Sequence, residues 1–542
     1  MLYLGINGGF GGGYQDASAC FLADGQIQFA AEEERFSRIK YSPGVLPHFS
    51  IREGLKYLQI SPADVKTIAL HGILWPGDSD KKISEYLYHN FKIKGKIKKY
   101  HHHNCHAAST FYSSGFKDAL VISMDSSGDG LSTQISKWNR SGYVVLYSYK
   151  RPQSFGFFYS LITQFCGFSR DADEYKLMGL SSYAKKKVKN DLSFLLNFSK
   201  GKYTINEKYL KGFQEGKPSP SKQELLFNQE FVKKIGFQSR NPNSELSANY
   251  VQLAADAQRQ LEKTVVGLIK FWIKKTGISN ICLAGGVALN CELNRVIENK
   301  IKLTGFYIPP YCGDQGVSVG AAYLASMHDG IIPQQQRSSF LGKAYSNVEI
   351  KEALVKSRVK FMEVVNKHEF GAKLLSEGKI IGWFQGRSEI GPRALGNRSI
   401  IANPAFPNIK DRINSSIKFR ESFRPFCPAV LKEDFSNYFI AKGKQYPYMN
   451  INVKARSITK KEFSEIVHVD NTSRVQTVSP QDNNEFYKLL LQVKKITGHG
   501  LLINTSFNVR NHPIAETPYN ALECFYSSGL DALIMGDFVV EK

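Results

Sequence analysis

Leu2-Tyr3-Leu4-Gly5-Ile6, followed by Gly8-Gly9-Phe10-Gly11-Gly12-Gly13, is the stretch on which the fold turns. A short apolar run that meets a glycine-dense turn reads as a strand ending where backbone must bend tightly. A second strand, Ala19–Leu22, a two-residue hairpin turn at Asp24-Gly25 and a third strand, Gln26–Ala31, follow. Met1 to Ile6 has no basic flank and no long apolar continuation, so it reads as a first strand and not as a secretion signal.

Outward from there the same grammar recurs. The strand Ala119–Met124 ends in Asp125 and is followed by Gly128-Asp129-Gly130. The strand Asn280–Leu283 runs into Ala284-Gly285-Gly286. Phe306-Tyr307-Ile308 is stopped by Pro309-Pro310 ahead of Gly313-Asp314-Gln315-Gly316 and a helix carrying Gly320, Ala321 and Ala322. Glycine turns and acidic residues at strand ends are how α/β folds present backbone N–H groups to nucleotide phosphates. Between them, Leu253, Ala257, Leu261, Val265, Leu268 and Trp272 keep helical spacing. The polar segment Pro333–Ser339 marks a domain boundary, giving domains 1–335 and 340–542. Past it come a helix at Val348–Val355 and a strand at Lys379–Phe384.

A chain of 542 residues with 42% hydrophobic content exceeds one ordinary core and predicts two or three domains. No apolar run reaches the ~18 residues that span a bilayer. Eight scattered cysteines without a C-x-x-C pair fit a reducing cytoplasm. Lys plus Arg exceed Asp plus Glu by 71 − 48 = 23, which favours anionic partners without choosing among them. The runs Lys92–Lys99 and Lys185–Lys189 read as solvated loops.

His101 to Ala108 reads His-His-His-Asn-Cys-His-Ala-Ala. On a helix, His102 and His106 lie one turn apart on one face and can share a metal. Two imidazoles do not complete a site, and Asp125 and Asp314 are the candidate carboxylates. Spacing alone leaves a surface histidine run open as the alternative. The position this far inside the chain and the apolar helix that follows argue against an expression tag.

His102–Tyr112, Ala-Glu-Glu-Glu-Arg-Phe-Ser-Arg-Ile-Lys at Ala31–Lys40, Asp173–Leu180, Ala284–Cys291, Gly391–Ile400, Lys418–Phe426, Thr472–Val478 and Leu502–Asn508 occur in order along the chain. Together they resemble the O-carbamoyltransferases of the nodulation-protein-U type, which include antibiotic (aminoglycoside and cephem) carbamoyltransferases. The resemblance implies an α/β architecture: an N-terminal duplicated actin-like (ASKHA) ATPase fold, then a C-terminal twisted α/β domain like that of threonylcarbamoyl-adenylate synthases. It implies that ATP and carbamoyl phosphate form carbamoyl-adenylate in the C-terminal domain. The carbamoyl group then passes to a hydroxyl of a sugar, natural-product or glycan acceptor in the N-terminal domain.

The cofactors implied are ATP, as co-substrate, and a divalent metal, Fe(2+), held by His102, His106, Asp125 and Asp314. Manganese and zinc suit the same ligand types. Gly285, Gly286 and Asn290 would surround the adenosine. Arg393, Lys418, Arg424, Arg474, Asn504 and Ser506 would bind the adenylate, with Arg420 and Asn508 nearby and Arg398 as a structural ion-pair candidate. Guanidiniums suit this work because their planar fork grips phosphate in two places.

Lys40 and Lys176 fall in matching motifs, Lys40 as a catalytic candidate. Family members often carry His-Asp after the first glycine turn; here it is Gln15-Asp16, so Asp16 is the candidate base. Asp129 and Asn471 also depart from the family pattern. A tRNA threonylcarbamoyl-adenosine-forming enzyme and an inert nucleotide- or RNA-binding scaffold are the alternatives. Nucleic acid is not the expected partner, and a homodimer is compatible with the sequence.

Overall fold

The computed structural model describes residues 1–9, 15–184, 189–212, 223–421, 424, 426–443 and 445–542. Residues 10–14 of the first glycine turn, 185–188 of the second lysine run, and 422, 423 and 425 of the Lys418–Phe426 motif lie outside the described residues. The chain is mixed α/β.

Strands β1 (Leu2–Asn7), β2 (Ser18–Ala23), β3 (Gln26–Glu32), β4 (Val65–His71) and β5 (Lys96–Tyr100) form one sheet in the order β3-β2-β1-β4-β5. Asp24 and Gly25 both take positive φ, as a two-residue hairpin requires, and pair Ala23 with Gln26. A second sheet contains β6 (Asp118–Gly128), β7 (Leu131–Asn139) and β8 (Gly142–Lys150). After a separate hairpin of β9 (Leu196–Ser199) and β10 (Lys202–Ile205), it is completed by β11 (Asn280–Ala284) and β12 (Gly305–Tyr307). Its order is β8-β7-β6-β11-β12.

The two sheets share one plan. In each, the first three strands are antiparallel, and the fourth and fifth run parallel to the first. Each fifth strand feeds a helix, His102–Ser114 in one half and Val317–His328 in the other. These two helices pack on each other and are buried along almost their whole length. Close approach is possible because a Cβ on Gly320 would overlap the Cys105 carbonyl oxygen. Their N-termini therefore meet.

The helix Ala248–Thr276 covers the second sheet, burying Leu253, Ala257, Leu261, Val265, Leu268 and Trp272 in the core. Gly277, in the left-handed region, ends it. Residues 331–339, which include the polar segment Pro333–Ser339, carry no helix or strand.

Beyond them an eight-stranded sheet runs β13-β23-β22-β14-β15-β21-β16-β20. Its members are β13 (Met362–Glu363), β14 (Ile381–Phe384), β15 (Arg398–Ala402), β16 (Cys427–Leu431), β20 (Gln476–Val478), β21 (Leu501–Ser506), β22 (Ala532–Met535) and β23 (Phe538–Glu541). A small sheet of β17 (Phe439–Ile440), β18 (Asn452–Ala455) and β19 (Thr472–Arg474) adjoins it. The helices Lys367–Ser376 and Pro480–Thr497 pack together over one apolar layer.

The predicted elements fall close to the observed ones, with two differences. The run Lys92–Lys99, read as a solvated loop, enters the edge strand β5, which pairs with β4, and there Lys98 pairs with Asp329 and Lys99 donates to Ser79. Strand β6 continues three residues past Asp125 through an irregular register between Met124 and Gly128. Asp125 thus projects from within a strand, not from the loop after it.

Candidate metal centre and basic cleft

The helix His102–Ser114 begins where His101 accepts a hydrogen bond from His103 N. Asp129 Oδ2 accepts the free N–H groups of His102 (2.9 Å) and Gly72 (3.1 Å). That carboxylate is therefore committed to the helix start, where its charge also suits the helix dipole. The next turn brings His102 and His106 onto one face, with ring centroids 4.6 Å apart.

Asp125 from β6 and Asp314, at the start of the turn leading into the helix Val317–His328, face the two imidazoles. His102 Nε2 lies 3.3 Å from Asp125 Oδ2 and 3.5 Å from Asp314 Oδ1; His106 Nε2 lies 3.1 and 3.3 Å from the same atoms. All four donor atoms fall within 4.8 Å of one another. A cation ~2.1 Å from each ligand needs neighbouring donors about 3.0–3.4 Å apart, so the donor set fits a divalent metal. The Nδ1 atoms of both histidines are buried without a hydrogen-bond partner among the described residues, leaving Nε2 to face the carboxylates.

The electrostatics agree with a centre built for positive charge. Burial lowers His102, but Asp125 and Asp314 outweigh it and raise the imidazole to about 10. Burial would raise Asp125, yet His102 and His106 hold its carboxyl well below the usual range. His71, at the end of β4, places its ring 5.1 Å from that of His102, and burial pushes it down to about 3. It is a neutral neighbour of the centre that the sequence reading did not single out.

Asp16 adopts φ 53°, held there by Asn7 Nδ2, which donates to the Gln15 (3.1 Å) and Asp16 (2.8 Å) carbonyls. Burial, followed by the charges of Asp314, Glu34 and Glu32, lifts its carboxyl well above the usual range. Asp16 is thus close enough to the centre to feel it. Lys40 pairs with Glu34 at 3.0 Å. Gly285 and Gly286 follow β11, with a Cβ on Gly286 standing 3.3 Å from Asp125 Oδ1. Asn290 caps the helix Cys291–Lys300 and exchanges hydrogen bonds with Gln258, so its side chain is already occupied.

The second group of candidates gathers at one end of β16 and β21, where Cys427 pairs with Asn504. Arg393 makes no hydrogen bond or ion pair with the described residues. Burial and then the neighbouring Arg474 lower it to about 10. Arg474 itself places Nε 2.9 Å from Cys427 Sγ. Arg420 stacks over Phe426 at 4.3 Å, and burial and Arg424 lower it to about 9. Lys418 donates to Asn508 O and Oδ1, both at 2.8 Å, and to Ser506. Its protons are spent inside the chain, and burial pushes its amine well below the usual lysine range. Asn504 donates to Gln476 Oε1 at 2.8 Å, leaving a buried Oδ1 with no donor among the described residues.

Arg398 is set apart. It donates to the carbonyls of Gln385 and Lys343 and stacks on Phe384 at 3.8 Å. Lys176 bridges to Asp173 (3.1 Å) and to Glu421 (3.2 Å), and Arg424 lies 4.5 Å over the Tyr175 ring. The motif at 173–180 therefore meets the basic loop.

Family models for the carbamoyltransferase N-terminus and C-terminus match residues 66–323 and 372–542. An uncharacterised protein of Synechocystis sp. is 33% identical, the match covering 98% of this chain and 95% of that protein. Nodulation protein NolNO of Sinorhizobium fredii is 30% identical over 100% of this chain and 83% of its own length. Nodulation protein NolO of Bradyrhizobium diazoefficiens is 33% identical over 81% and 78%. With matches of this extent on both sides of the polar segment at 333–339, the chain belongs to the carbamoyltransferase family.

Proposed function

We propose that the protein is an ATP-dependent O-carbamoyltransferase in which residues 340–542 make carbamoyl-adenylate and residues 1–335, an actin-like duplicated unit, transfer it. The repeated sheet order supports the actin-like reading. The observation that carries the activity is the uncompensated cation cluster. Arg393 and Arg474 stand together with no carboxylate paired to either in the described residues, beside the orphan Oδ1 of Asn504. Such repulsion is relieved by a polyanion, and the amide oxygen suits an N–H donor such as the carbamoyl NH2.

In this reading, water cleaves carbamoyl phosphate to carbamate and phosphate. A carbamate oxygen then bonds to the α-phosphorus of ATP, and pyrophosphate leaves. Arg393, Arg424 and Arg474 neutralise the two approaching anions, while Lys418 fixes the Ser506–Asn508 turn that frames them. In the transfer step the acceptor hydroxyl oxygen bonds to the carbamoyl carbon, its proton passes to a base, for which Asp16 is the candidate, and AMP departs with the C–O electrons. His102, His106, Asp125 and Asp314 would hold a divalent metal, iron on the family resemblance, which would supply Lewis-acid stabilisation of phosphate charge when bound.

Pyrophosphate release from ATP by the purified, metal-loaded protein tests this. It should require carbamoyl phosphate and fail with bicarbonate plus threonine. Release with the latter pair alone would instead assign a threonylcarbamoyl-adenylate activity.

A further inference from the structure

The motif Asp173–Leu180 carries no step of the reaction set out above. Its helix, Glu174–Ser181, is fixed from below. Leu177 and Leu180 are buried in the core against the long helix Ala248–Thr276, and Glu174 accepts Ser160 Oγ and Asp171 N, both at 2.7 Å. Another side of the helix presents Tyr175, 37% exposed, and Lys176 to residues of the C-terminal half.

Those residues lie on the loop after Lys418. Phe419 takes φ 44°, and from there to Phe426 the described residues carry no helix or strand. The C-terminal half holds the near end of this loop: Arg510 Nη1 donates to Phe419 O and Arg420 Nε to Asn414 Oδ1, both at 2.9 Å. Arg424, further along, meets the N-terminal half. Its guanidinium carbon stands 4.5 Å from the Tyr175 ring centroid. Lys176 Nζ lies 3.1 Å from Asp173 Oδ1 and 3.2 Å from Glu421 Oε1, and Glu421 O accepts Arg424 N–H at 3.2 Å.

Contacts this exposed add little to folding stability, because water screens the ion pair and weakens the stacking. Their effect is on orientation. A guanidinium stacked by its face keeps its N–H groups in a plane clear of the ring, and that edge is the part that forks a phosphate. Arg424 Nη1 is 3.7 Å from Glu421 Oε2, beyond hydrogen-bonding reach, so the edge is not spent on this carboxylate. An arginine already held in one attitude also loses less freedom when it takes its anion.

We propose that Tyr175 and Lys176, though they belong to the N-terminal half, are positioning residues for adenylate formation: Tyr175 holds the Arg424 guanidinium by its face, and Lys176 holds the same loop through Glu421. The proposal rests on the function given above, in which Arg424 neutralises the approaching anions. It makes the motif at 173–180 part of the activating site.

The test measures first-turnover pyrophosphate release by the metal-loaded full chain with ATP and carbamoyl phosphate saturating. Tyr175→Leu and Lys176→Met should each slow it about tenfold, with bound metal and melting temperature near those of the wild type. Tyr175→Phe and Lys176→Arg, which keep the ring face and the charge, should stay within about threefold of the wild type. In an Arg424→Met background, Tyr175→Leu should add less than about twofold, since no guanidinium is left to hold. Should Tyr175→Leu not fold, Lys176→Met against Lys176→Arg makes the same comparison. Equal losses in Tyr175→Leu and Tyr175→Phe would overturn the proposal, as would losses from Tyr175→Leu and Arg424→Met that multiply. So would wild-type release rates in Tyr175→Leu and Lys176→Met. Absence of carbamoyl-phosphate-dependent release from the wild type would instead overturn the function.

Discussion

His106 Nε2 and Asp314 Oδ1 stand 3.3 Å apart although they follow the last strands of two different sheets with the same strand order. The contact exists because the two fifth-strand helices meet at their N-termini, so the candidate metal centre is assembled where the two sheets' helices join. His106→Ala and Asp314→Asn should each lower bound divalent metal, measured by plasma mass spectrometry, from about one per chain to under a tenth. The carbamoyl-phosphate-dependent pyrophosphate burst should survive. Full metal occupancy in both variants would contradict the ligand set.

Asp129 holds the first backbone N–H of the ligand-bearing helix, that of His102, together with the N–H of Gly72 at the end of β4. Asp129→Ala should cost about 1–2 kcal/mol of stability and weaken metal binding roughly 10–100-fold, as loss of a supporting group does. Equilibrium urea unfolding and a competitive chelator titration measure the two effects. Unchanged metal affinity would show that the cap does not set the ligand geometry.

Among the described residues Arg393 is a cation without a paired counter-charge, next to another cation. Arg393→Met should therefore raise the melting temperature of the ligand-free protein by a few degrees, since it removes buried repulsion. It should also abolish the stabilisation given by ATP and slow pyrophosphate release on the order of 100-fold. A variant less stable than the wild type, with ATP stabilisation intact, would contradict an anion-binding role.

Glu516 is fully buried, and burial raises its carboxyl from 4.5 to about 7 against the pull of Arg398 and Arg35. Between pH 4.5 and 7 the folded state keeps a proton that the unfolded state has lost. Stability therefore falls as pH rises through that window, by up to about 3 kcal/mol. Glu516→Gln should flatten this slope in denaturant titrations at pH 5 and pH 8. An identical slope in the variant would place the effect elsewhere.

Local signals in the sequence carried well. Asp24-Gly25 forms the hairpin because both positions need positive φ, and the i, i+4 spacing of His102 and His106 is a direct reading of helical pitch. The carboxylate partners were legible only as strand-end acids, since nothing local ties Asp125 to Asp314. The likeness of the two sheets was invisible as a sequence repeat because only strand order and direction recur. Side-chain commitments were hidden for the same reason. Asn290 looks like a free ligand group until Gln258 is found opposite it, and Lys418 looks like a free adenylate-binding cation until Ser506 and Asn508 surround it. Glu32 reads as one acid in a row of three, because its partner Gly391 is distant in the chain.

The most direct test of the central claim is mass spectrometry of an acid-quenched mixture of the metal-loaded protein, ATP and carbamoyl phosphate. Carbamoyl-adenylate, equal in amount to the pyrophosphate released in the first turnover and absent when carbamoyl phosphate is omitted, is the predicted result. ATP left intact, or cleaved to ADP and phosphate with no adenylate formed, would contradict it.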